Sequence, residues 1–451
     1  MTDLERRVRA AVASLRTDAA ARWAFRGAIV LTVIMFAVIG RHQWFTRDDW
    51  ASLITRPAQR KTEGMSSFLF SPQDGHWMTL PVLLYDATRR AFGLGSYWPF
   101  LIPAMAAHIA VVLLARVLCL RHHVSAWTTT LLCSMLLMFG AGWENIIFAI
   151  QITFNFSLVA FLAQVVLTDH EGPADHRDWI ASGLALIGVM CSGFGPIFIV
   201  GIAAVLVLRQ RWKALFIAVV PQGLAYGWWY VVWGADPASD SHPGNKSQIP
   251  QFAVHGLSAT FNALTGLPGL GSIALVGILT VVLSNRFGRR TQALLIGLGV
   301  TIVFMFVGIG FERVGFGVQL AESSRYVHVA GIIIAPVFGL AIDQLARIAR
   351  EVRWAGLGVL ALALVVNVGT LRQATTSWAL SSSFERETFE LIAGSGLVAQ
   401  ADPNRYPFPD SPDVTIGSLG TMVAQGALNP RVPVTDQELQ RVRDALGLPA
   451  P

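Results

Sequence analysis

Eleven apolar runs, separated by polar connections, follow one another along the 451-residue chain. A membrane-spanning helix needs about 20 mostly apolar residues, because each residue advances about 1.5 Å through a hydrocarbon core of about 30 Å. The runs begin near Trp23, Tyr97, Trp127, Ile146, Trp179, Pro196, Leu215, Gly271, Ala293, Val327 and Ala355. This pattern predicts an all-α polytopic membrane protein with about eleven transmembrane helices.

The charges between the runs indicate which ends face the cytoplasm. An arginine-rich arm precedes the first run, and cations in short loops mark the cytoplasmic side. Further basic residues follow every second run, at Arg116, Arg121, His176, Arg177, Arg209, Arg211, Lys213, Arg286, Arg289, Arg290, Arg347, Arg350 and Arg353. The alternation holds only if 178–208 forms two short spans with a tight turn at 192–196, where Gly and Pro break a helix. We therefore predict a cytoplasmic N-terminus.

The runs and loops divide the chain into three parts. Residues 1–22 are predicted to form a cytoplasmic arm, 23–371 a transmembrane domain, and 372–451 a polar tail outside the membrane. Within the transmembrane domain, the long connections at 41–96 and 234–268 also lie outside. A helical pattern near 435–446 indicates that the tail is a small appended domain or a cap.

Composition supports a membrane protein and excludes other classes. Hydrophobic residues make up 53% of the chain and charged residues 14%, against roughly 25% charged in soluble domains, and the mean hydropathy is +0.53. These values exclude a soluble enzyme and a disordered chain. Among 34 basic residues only Lys61, Lys213 and Lys246 are lysine, a bias typical of a GC-rich bacterial genome. Nucleic-acid binding is not indicated, and the three cysteines lack the paired spacing of a disulfide framework or zinc site.

The first outer loop is too long to be a simple connector, and long loops are often functional. It opens with Asp48 and Asp49 just beyond the first span and continues through Asp74 and His76. The following stretch, 80–93, places Leu80, Leu83, Leu84, Ala87 and Ala91 on one helical face and Arg89 and Arg90 on the other. We expect this amphipathic helix to lie on the membrane surface.

The loop resembles the GT-C superfamily of membrane glycosyltransferases. The matching features are the acidic pair Asp48 and Asp49, the surface helices, and a His-x4-Pro-x11-Gly entry into the second span formed by His76, Pro81 and Gly93. The resemblance implies a polyprenyl-phosphate-linked sugar as donor and a catalytic carboxylate in this loop. The protein-mannosylating branch carries Asp-Glu in place of Asp-Asp, and many members have a large soluble C-terminal domain, so the acceptor stays open.

Sugar transfer requires a base that takes the proton of an acceptor hydroxyl as this hydroxyl attacks the anomeric carbon. We assign this role to Asp48, and the alternative is a solvated surface charge. For Asp49 three roles stay open: a metal ligand, a neighbouring base, or a cap of a short helix that begins at this point.

The donor phosphate needs a cation or a metal to hold its charge. Arg325 enters the tenth span from outside, against the inward bias for cations, and its planar guanidinium suits a phosphate. We expect Arg325, with Tyr326, to bind the lipid phosphate. The alternative is a salt bridge from Arg325 to Glu322 or Glu312.

Three polar residues near the outer membrane face are candidates for substrate contacts. Glu144, Gln151 and Asn155 are spaced by seven and four residues, so they share one face of a continuous helix. They would form a polar wall of a sugar pocket, with Glu144 touching the acceptor or a metal. The alternative for Gln151 and Asn155 is hydrogen bonding between helices.

A divalent cation is a possible cofactor. His76 is a candidate for a contact with the donor phosphate or, with Asp74, for a metal ligand, and Asp49 is the other candidate ligand. The alternative for Asp74 and His76 is a structural turn.

Together these features favour an integral glycosyltransferase of the bacterial plasma membrane. It would move a sugar from a polyprenyl-phosphate carrier to a lipid, glycan or protein acceptor on the outer face. The alternatives are a transporter or lipid flippase without chemistry, and a non-catalytic relative that serves as an assembly partner. A transporter would favour repeated halves and ionisable groups deep in the bundle, whereas the acidic residues here gather in an outer loop.

Overall fold

Helices make up nearly all the regular structure of the chain. The computed structural model describes residues 17–234, 244–284, 287–347 and 350–449, and no β-strand occurs within these ranges. Two parts of the predicted organisation lie outside the described residues: residues 1–16 of the cytoplasmic arm and residues 235–243 of the outer segment 234–268. The α-helices are α1 (Asp18–Gly40), α2 (Arg56–Thr62), α3 (Met65–Phe70), α4 (Thr79–Phe92), α5 (Trp98–Arg121), α6 (Ala126–Leu137), α7 (Glu144–Ile147), α8 (Ile152–Thr168), α9 (His176–Val189), α10 (Gly195–Leu208), α11 (Trp212–Trp229), α12 (Ile249–Thr265), α13 (Leu270–Leu283), α14 (Arg289–Arg313), α15 (Ser324–Leu345), α16 (Arg350–Gly394), α17 (Leu419–Ala424) and α18 (Asp436–Leu446).

Seven described helical segments are long and apolar enough to cross a membrane. They are Asp18–Gly40, Trp98–Arg121, Ala149–Thr168, Trp212–Gly234, Arg289–Phe316, Ser324–Leu345 and Glu351–Gly394. The helices α12 and α13 meet at 96° and pass the same criterion only as a bent pair, whereas α6 and α10 are shorter apolar helices. The predicted all-α polytopic architecture is confirmed, while the number of eleven spans and the orientation stay predictions.

The chain breaks between α9 and α10 where the sequence predicts a turn. Helix α9 ends at Val189 and α10 begins at Gly195, with Pro196 in its first turn, where the missing N–H of proline costs no hydrogen bond. Gly193 lies in this break, and a Cβ atom there would come within 2.3 Å of His76 Nδ1. The bare glycine lets the first outer loop pack directly against the break.

Two segments differ in detail from the sequence-based expectation. The fourth span was expected to begin near Ile146, but the backbone is extended at Phe148 (φ −99°, ψ 108°), so α8 begins only at Ile152. The segment 234–268, expected as an outer loop, contains the helix α12, which packs against α14, α15 and α16. Its apolar face explains this position: Phe252, Phe261 and Leu264 are fully buried.

The last long helix continues through the predicted start of the tail at residue 372. Helix α16 has 45 residues, which corresponds to roughly 68 Å at 1.5 Å per residue, about twice the thickness of the hydrocarbon core. Its far half buries Phe389, Leu391 and Ile392 and packs against α17 and α18. The helix predicted near 435–446 is confirmed as α18, and the tail is anchored on a helix that leaves the membrane domain.

Basic residues from several short connections meet at one end of the bundle. The carboxylate of Asp169, just after α8, accepts hydrogen bonds from Arg209 (3.2 Å), Arg290 (2.7 Å) and His122 (3.2 Å). These residues belong to loops that the charge alternation assigns to one side, and the structure brings them together. Which side of the membrane they face stays a prediction.

The amphipathic helix expected at 80–93 is present as α4. Leu83, Ala87 and Ala91 are exposed along its apolar face, while Tyr85 and Asp86 are buried on the opposite face. Asp86 lies 2.8 Å from both Arg89 and Arg90, so both arginines form salt bridges with a carboxylate of their own helix. The exposed apolar face fits a helix that lies on a membrane surface.

Asn367, in the middle of α16, holds the segment that follows α6. Its Oδ1 accepts the Ala141 N–H at 3.1 Å, and its Nδ2 donates to the Ala263 carbonyl of α12 at 3.0 Å. The two backbones approach so closely that a Cβ atom on Gly140 would lie 2.1 Å from the Asn367 carbonyl oxygen. The junction of α12, α16 and the 140s segment therefore depends on a glycine at position 140.

We predict that Gly140→Ala lowers the thermal unfolding midpoint of the protein in detergent micelles. The added methyl group meets backbone atoms that cannot rotate away, and overpacking of this kind costs about 1–3 kcal/mol. Gly183→Ala is the matched control, because a Cβ atom there meets nothing within 4 Å and alanine favours a helix. Equal midpoints for Gly140→Ala and the wild type would contradict the close contact.

Candidate functional site

The two neighbouring aspartates of the first outer loop face different surroundings. Asp49 is fully buried, and its carboxylate accepts hydrogen bonds from Tyr85 Oη (2.7 Å), Tyr97 Oη (3.0 Å) and the Thr46 N–H (3.3 Å). These three hydrogen bonds enclose both carboxylate oxygens, and Asp49 does not line the chamber described below. Its role stays a prediction.

Burial also changes the proton affinity of Asp49. Desolvation raises the pKa of this carboxyl group to about 7, although the hydrogen bonds from Tyr85, Thr46 and Tyr97 act in the opposite direction. A group in this state exchanges protons near neutral pH without contact to a substrate. Asp49 thus links the stability of the loop to pH.

Asp48 lines a small chamber of about 40 Å³. The residues around the chamber are Asp48, Gln73, Asp74, His76, Met78, Ile150, Gln151, Thr153, Phe154, Arg313, Arg325 and Tyr326. A larger cavity of about 440 Å³ shares Asp74, His76, Phe154, Arg313 and Tyr326 with it, so the two are neighbours with common walls. The structure therefore brings together six of the predicted site residues from distant parts of the chain, whereas Asp49 and Glu144 do not line this space.

The electrostatic environment of Asp48 combines burial with nearby cations. Desolvation raises the pKa of Asp48 above its ordinary value, and the positive charge of Arg325 opposes this shift. Asp413, from the C-terminal tail, adds to the rise. A carboxylate with a raised pKa is a better proton acceptor than one in water, provided that it is ionised.

His76 sits on a tight turn that also forms a wall of the chamber. Gln73 and His76 exchange backbone hydrogen bonds of 3.1 and 2.8 Å, and Asp74 and Gly75 both adopt positive φ angles of 50° and 75°. An Asp-Gly pair is typical of such a turn, because both central residues need the left-handed conformation. The structural turn is thus confirmed, and its side chains still reach the cavity.

The His76 ring is neutral at physiological pH. Burial and the positive charges of Arg313 and Arg325 lower its pKa to about 3. His76 can accept or donate a hydrogen bond or ligate a metal, but it does not supply a positive charge for a phosphate.

Arg325 is placed by a carboxylate at the start of α15. The Glu144 carboxylate accepts hydrogen bonds from the Ser324 hydroxyl and from the Arg325 N–H (3.3 Å), and a negative charge at a helix N-terminus is stabilising. The Arg325 guanidinium lies 3.8 Å from Glu144. The expected alternative pairing with Glu322 or Glu312 is not observed, since Glu322 contacts His255 at 2.7 Å. Glu144 thus positions Arg325 and is not a wall of the pocket.

The Arg325 backbone is hydrogen-bonded to a chain of buried polar groups that the sequence analysis did not predict. Asn145 Nδ2 lies 3.1 Å from the Arg325 carbonyl oxygen and 3.1 Å from His328 Nδ1. His328 Nε2 is 2.9 Å from His108 Nδ1, and His108 Nε2 is 3.1 Å from the Leu137 carbonyl oxygen. Because Asn145 donates, the network assigns Nε2–H to both rings, and every ring nitrogen is then satisfied in the neutral form.

Gln151 and Asn155 do not share a helical face with Glu144, because the extended backbone at Phe148 interrupts the helix. Gln151 lines the chamber, and its Oε1 receives no hydrogen bond from a described residue. Asn155 instead donates to the Asn145 carbonyl at 2.7 Å and the Ala104 carbonyl at 3.3 Å. The pocket hypothesis therefore fits Gln151, and the interhelical alternative fits Asn155.

The C-terminal tail clamps the loop that carries Asp48. Ser411 accepts the Arg47 N–H at 2.9 Å and donates to Glu385 at 2.6 Å. The Thr46 hydroxyl donates to the other Glu385 oxygen at 2.5 Å. Sequence reasoning missed Glu385 and Ser411, and no local signal marks them, since they lie more than 330 residues from their loop partners.

One cluster with metal-ligand spacing occurs in the described part of the chain, and it lies elsewhere. It consists of His170, Asp175 and Asp178, beyond the far end of α8, a helix of 17 residues that spans roughly 26 Å. Asp49 is enclosed by tyrosines while Asp74 lines the cavity, so these two predicted ligands do not form one metal site.

We predict that Asp49→Asn flattens the pH dependence of stability. The folded chain holds the Asp49 proton up to a pH of about 7, against 3.8 ordinarily, so the free energy of unfolding falls as the pH rises through this window. Between about pH 5 and about pH 7 this contribution amounts to about 2–3 kcal/mol and is lost in the variant. Thermal unfolding across this range measures it. The exposed Asp410→Asn variant is the control and should keep the wild-type slope, and an unchanged slope in Asp49→Asn would contradict the prediction.

The fold, in contrast to the sequence, has known counterparts. No protein-family model and no curated protein sequence matches the chain. ArnT from Cupriavidus metallidurans bound to undecaprenyl phosphate matches with a TM-score of 0.52 at 12% identity, covering 92% of this chain and 87% of that chain. The apo state of the same protein gives a TM-score of 0.51 at 11% identity, covering 94% and 89%. The chain thus shares the fold of these ArnT structures over most of its length, and the predicted family resemblance is confirmed at the level of fold.

Proposed function

We propose that the chain is an integral membrane glycosyltransferase that transfers a sugar from a polyprenyl-phosphate carrier to an acceptor hydroxyl group. The observation that carries the proposal is the single chamber lined by Asp48 and Arg325, a base and a phosphate-binding cation from opposite ends of the sequence. The fold shared with ArnT supports this class of reaction, and the ArnT structure contains undecaprenyl phosphate. The acceptor would be a lipid, glycan or protein on the outer face of a bacterial plasma membrane.

The chemical step needs one proton acceptor and one stabilised leaving group. The acceptor oxygen forms a bond to the anomeric carbon, and the bond from that carbon to the phosphate oxygen breaks. The hydroxyl proton passes to Asp48, whose burial raises its pKa and hence its basicity. The electron pair of the broken bond stays on the polyprenyl phosphate, so no separate acid is required.

Arg325 is the group best suited to hold the leaving phosphate. Its contact with Glu144 is long, at 3.8 Å, and its Nε–H finds no acceptor among the described residues. A guanidinium with free donors can bind a phosphate through two parallel hydrogen bonds. Arg313 and Tyr326 line both the chamber and the larger cavity and would extend this anion site.

The larger cavity offers room for the rest of the donor. Its walls include Phe154, Phe194, Pro196 and Ile197 beside the polar edge at Asp74 and His76. Apolar walls with a few convergent polar groups are typical of sites for small molecules and lipids. If a divalent cation takes part, Asp74 and His76 line both cavities and have suitable ligand chemistry, whereas Asp49 does not line either.

We predict that Asp48→Asn lowers the rate of sugar transfer by about 10²–10⁴-fold, the usual contribution of a general base. Transfer is measured with membranes and a labelled polyprenyl-phosphate sugar, and undecaprenyl phosphate binding should be retained. The matched control, Asp436→Asn, removes an exposed carboxylate in the first turn of α18 and should leave the rate unchanged. Because burial raises the pKa of Asp48, the wild-type rate should fall on acidification already above pH 3.8. Full activity in Asp48→Asn would reject the base assignment.

Arg325→Ala should raise the KM for the donor about 10–100-fold with a smaller effect on kcat, because a charged hydrogen bond contributes about 1.5–3 kcal/mol to binding. Direct binding of undecaprenyl phosphate should weaken in parallel. Arg353→Ala, at the near end of α16 and exposed, is the control. An unchanged donor dependence in Arg325→Ala would remove the phosphate role.

A further inference from the structure

A groove separate from the chamber opens between α1 and α16. Both helices pack closely against α6 but barely touch each other. Helix α6 ends at Leu137, and the segment after it contacts α16 at residues 367–371. Past this contact, a groove of about 370 Å³ lies between the end of α1 and α16. It shares no lining residue with the chamber or the larger cavity.

The groove carries positive charge without a nearby carboxylate. His42 and Arg372 line it, and Arg41 is adjacent, with its Nε donating to His42 Nε2 at 3.0 Å. In the described part of the chain, neither Arg41 nor Arg372 forms a salt bridge, so both guanidinium charges are left without a carboxylate partner. An anionic group is therefore the complementary occupant.

The other polar groups of the groove are hydrogen-bond acceptors. The hydroxyl protons of Thr375, Thr376 and Ser383 are donated within α16, to the Arg372 carbonyl at 3.0 and 2.9 Å and to the Leu380 carbonyl at 2.9 Å. Their oxygens keep lone pairs to accept from a ligand.

Gln43 forms the floor of the groove. Its amide nitrogen, Nε2, donates to the Ile39 and Thr375 carbonyls, each at 3.2 Å, and so bridges the two helices. Its Oε1 receives no hydrogen bond from any described residue. The occupant that fits this surface has a negative charge and several hydroxyl donors.

The apolar surfaces on either side fit acyl chains. Helix α1 exposes Ile34 (55%) and Val38 (47%), and α16 exposes Leu362 (42%) and Val365 (69%), all on the membrane side of Arg372. A headgroup held at Arg372 would leave its chains beside these side chains, at the depth of the hydrocarbon core.

We propose that this groove binds an anionic phospholipid with a hydroxylated headgroup, phosphatidylglycerol being the simplest of this class. Arg372 and Arg41 would hold the phosphate, and the glycerol hydroxyls would donate to Gln43, Thr376 and Ser383. The lipid closes the seam between α1 and α16. The site does not depend on the proposed sugar transfer, so either can fail alone.

The test is native mass spectrometry of the full-length protein released from detergent micelles, titrated with phosphatidylglycerol, phosphatidylethanolamine or undecaprenyl phosphate. Phosphatidylglycerol should bind to the wild type at least tenfold more tightly than phosphatidylethanolamine. Arg372→Ala should weaken its binding at least tenfold. Ala379→Phe, which fills the groove without altering charge, should do the same even if the arginine variant folds poorly. Arg353→Ala, on the same helix outside the groove, should bind as the wild type does.

Three results would overturn the proposal. Unchanged phosphatidylglycerol binding in both Arg372→Ala and Ala379→Phe would place the lipid elsewhere. If phosphatidylethanolamine binds as tightly as phosphatidylglycerol, the groove holds the acyl chains and does not recognise the headgroup. Displacement of phosphatidylglycerol by an equal concentration of undecaprenyl phosphate would assign the groove to the carrier lipid. Loss of sugar transfer in Asp48→Asn has no bearing on any of these measurements.

Discussion

Polar backbone groups inside an apolar helical bundle must find partners within the protein, because lipid offers none. The interrupted stretch 139–151 frees several such groups, and its neighbours capture them. Asn367 accepts the Ala141 N–H, Glu144 caps the start of α15, and Asn145 binds the Arg325 carbonyl. The break in the helix thus positions the candidate phosphate-binding arginine. A continuous helix would pair these backbone groups internally, so it would not need hydrogen bonds to α15.

Asp48 and Asp49 are neighbours in the chain, but their carboxylates lie in different surroundings. The Asp49 side chain is turned inward to Tyr85 and Tyr97, whereas Asp48 lines the chamber. Burial raises the pKa of both carboxyl groups. Only Asp48 has a cavity beside it and a cation, Arg325, to keep its anionic form accessible.

Local patterns in the sequence were sufficient for the elements and for part of the site. Apolar run length predicted most of the long helices, and helical periodicity predicted α4 and α18. The sequence singled out Asp48, His76 and Arg325, and the structure brings them to one chamber, while their roles stay predictions. The fourth span begins a few residues after Ile146, and α16 continues through residue 372, because tertiary partners decide where an apolar run bends or continues.

The residues that sequence reasoning missed have no local signature. Asn145, His328 and Ser411 are ordinary polar residues until the fold brings them to Arg325 and Arg47. Their partners lie 180 to 364 residues away. A spacing rule compares only neighbours along the chain, so it cannot find residues whose partners are far away in sequence.

The length of α16 has a mechanical consequence. The helix contains no proline, the most common cause of a sharp kink, and Glu385 in its far half binds the Asp48 loop through the Thr46 hydroxyl. A rigid rod of roughly 68 Å amplifies small rotations about its near half, so a tilt of about 10° moves the far end by several ångströms. Packing against neighbouring helices sets such a tilt. A small repacking around the near half of α16 would therefore displace the loop at its other end.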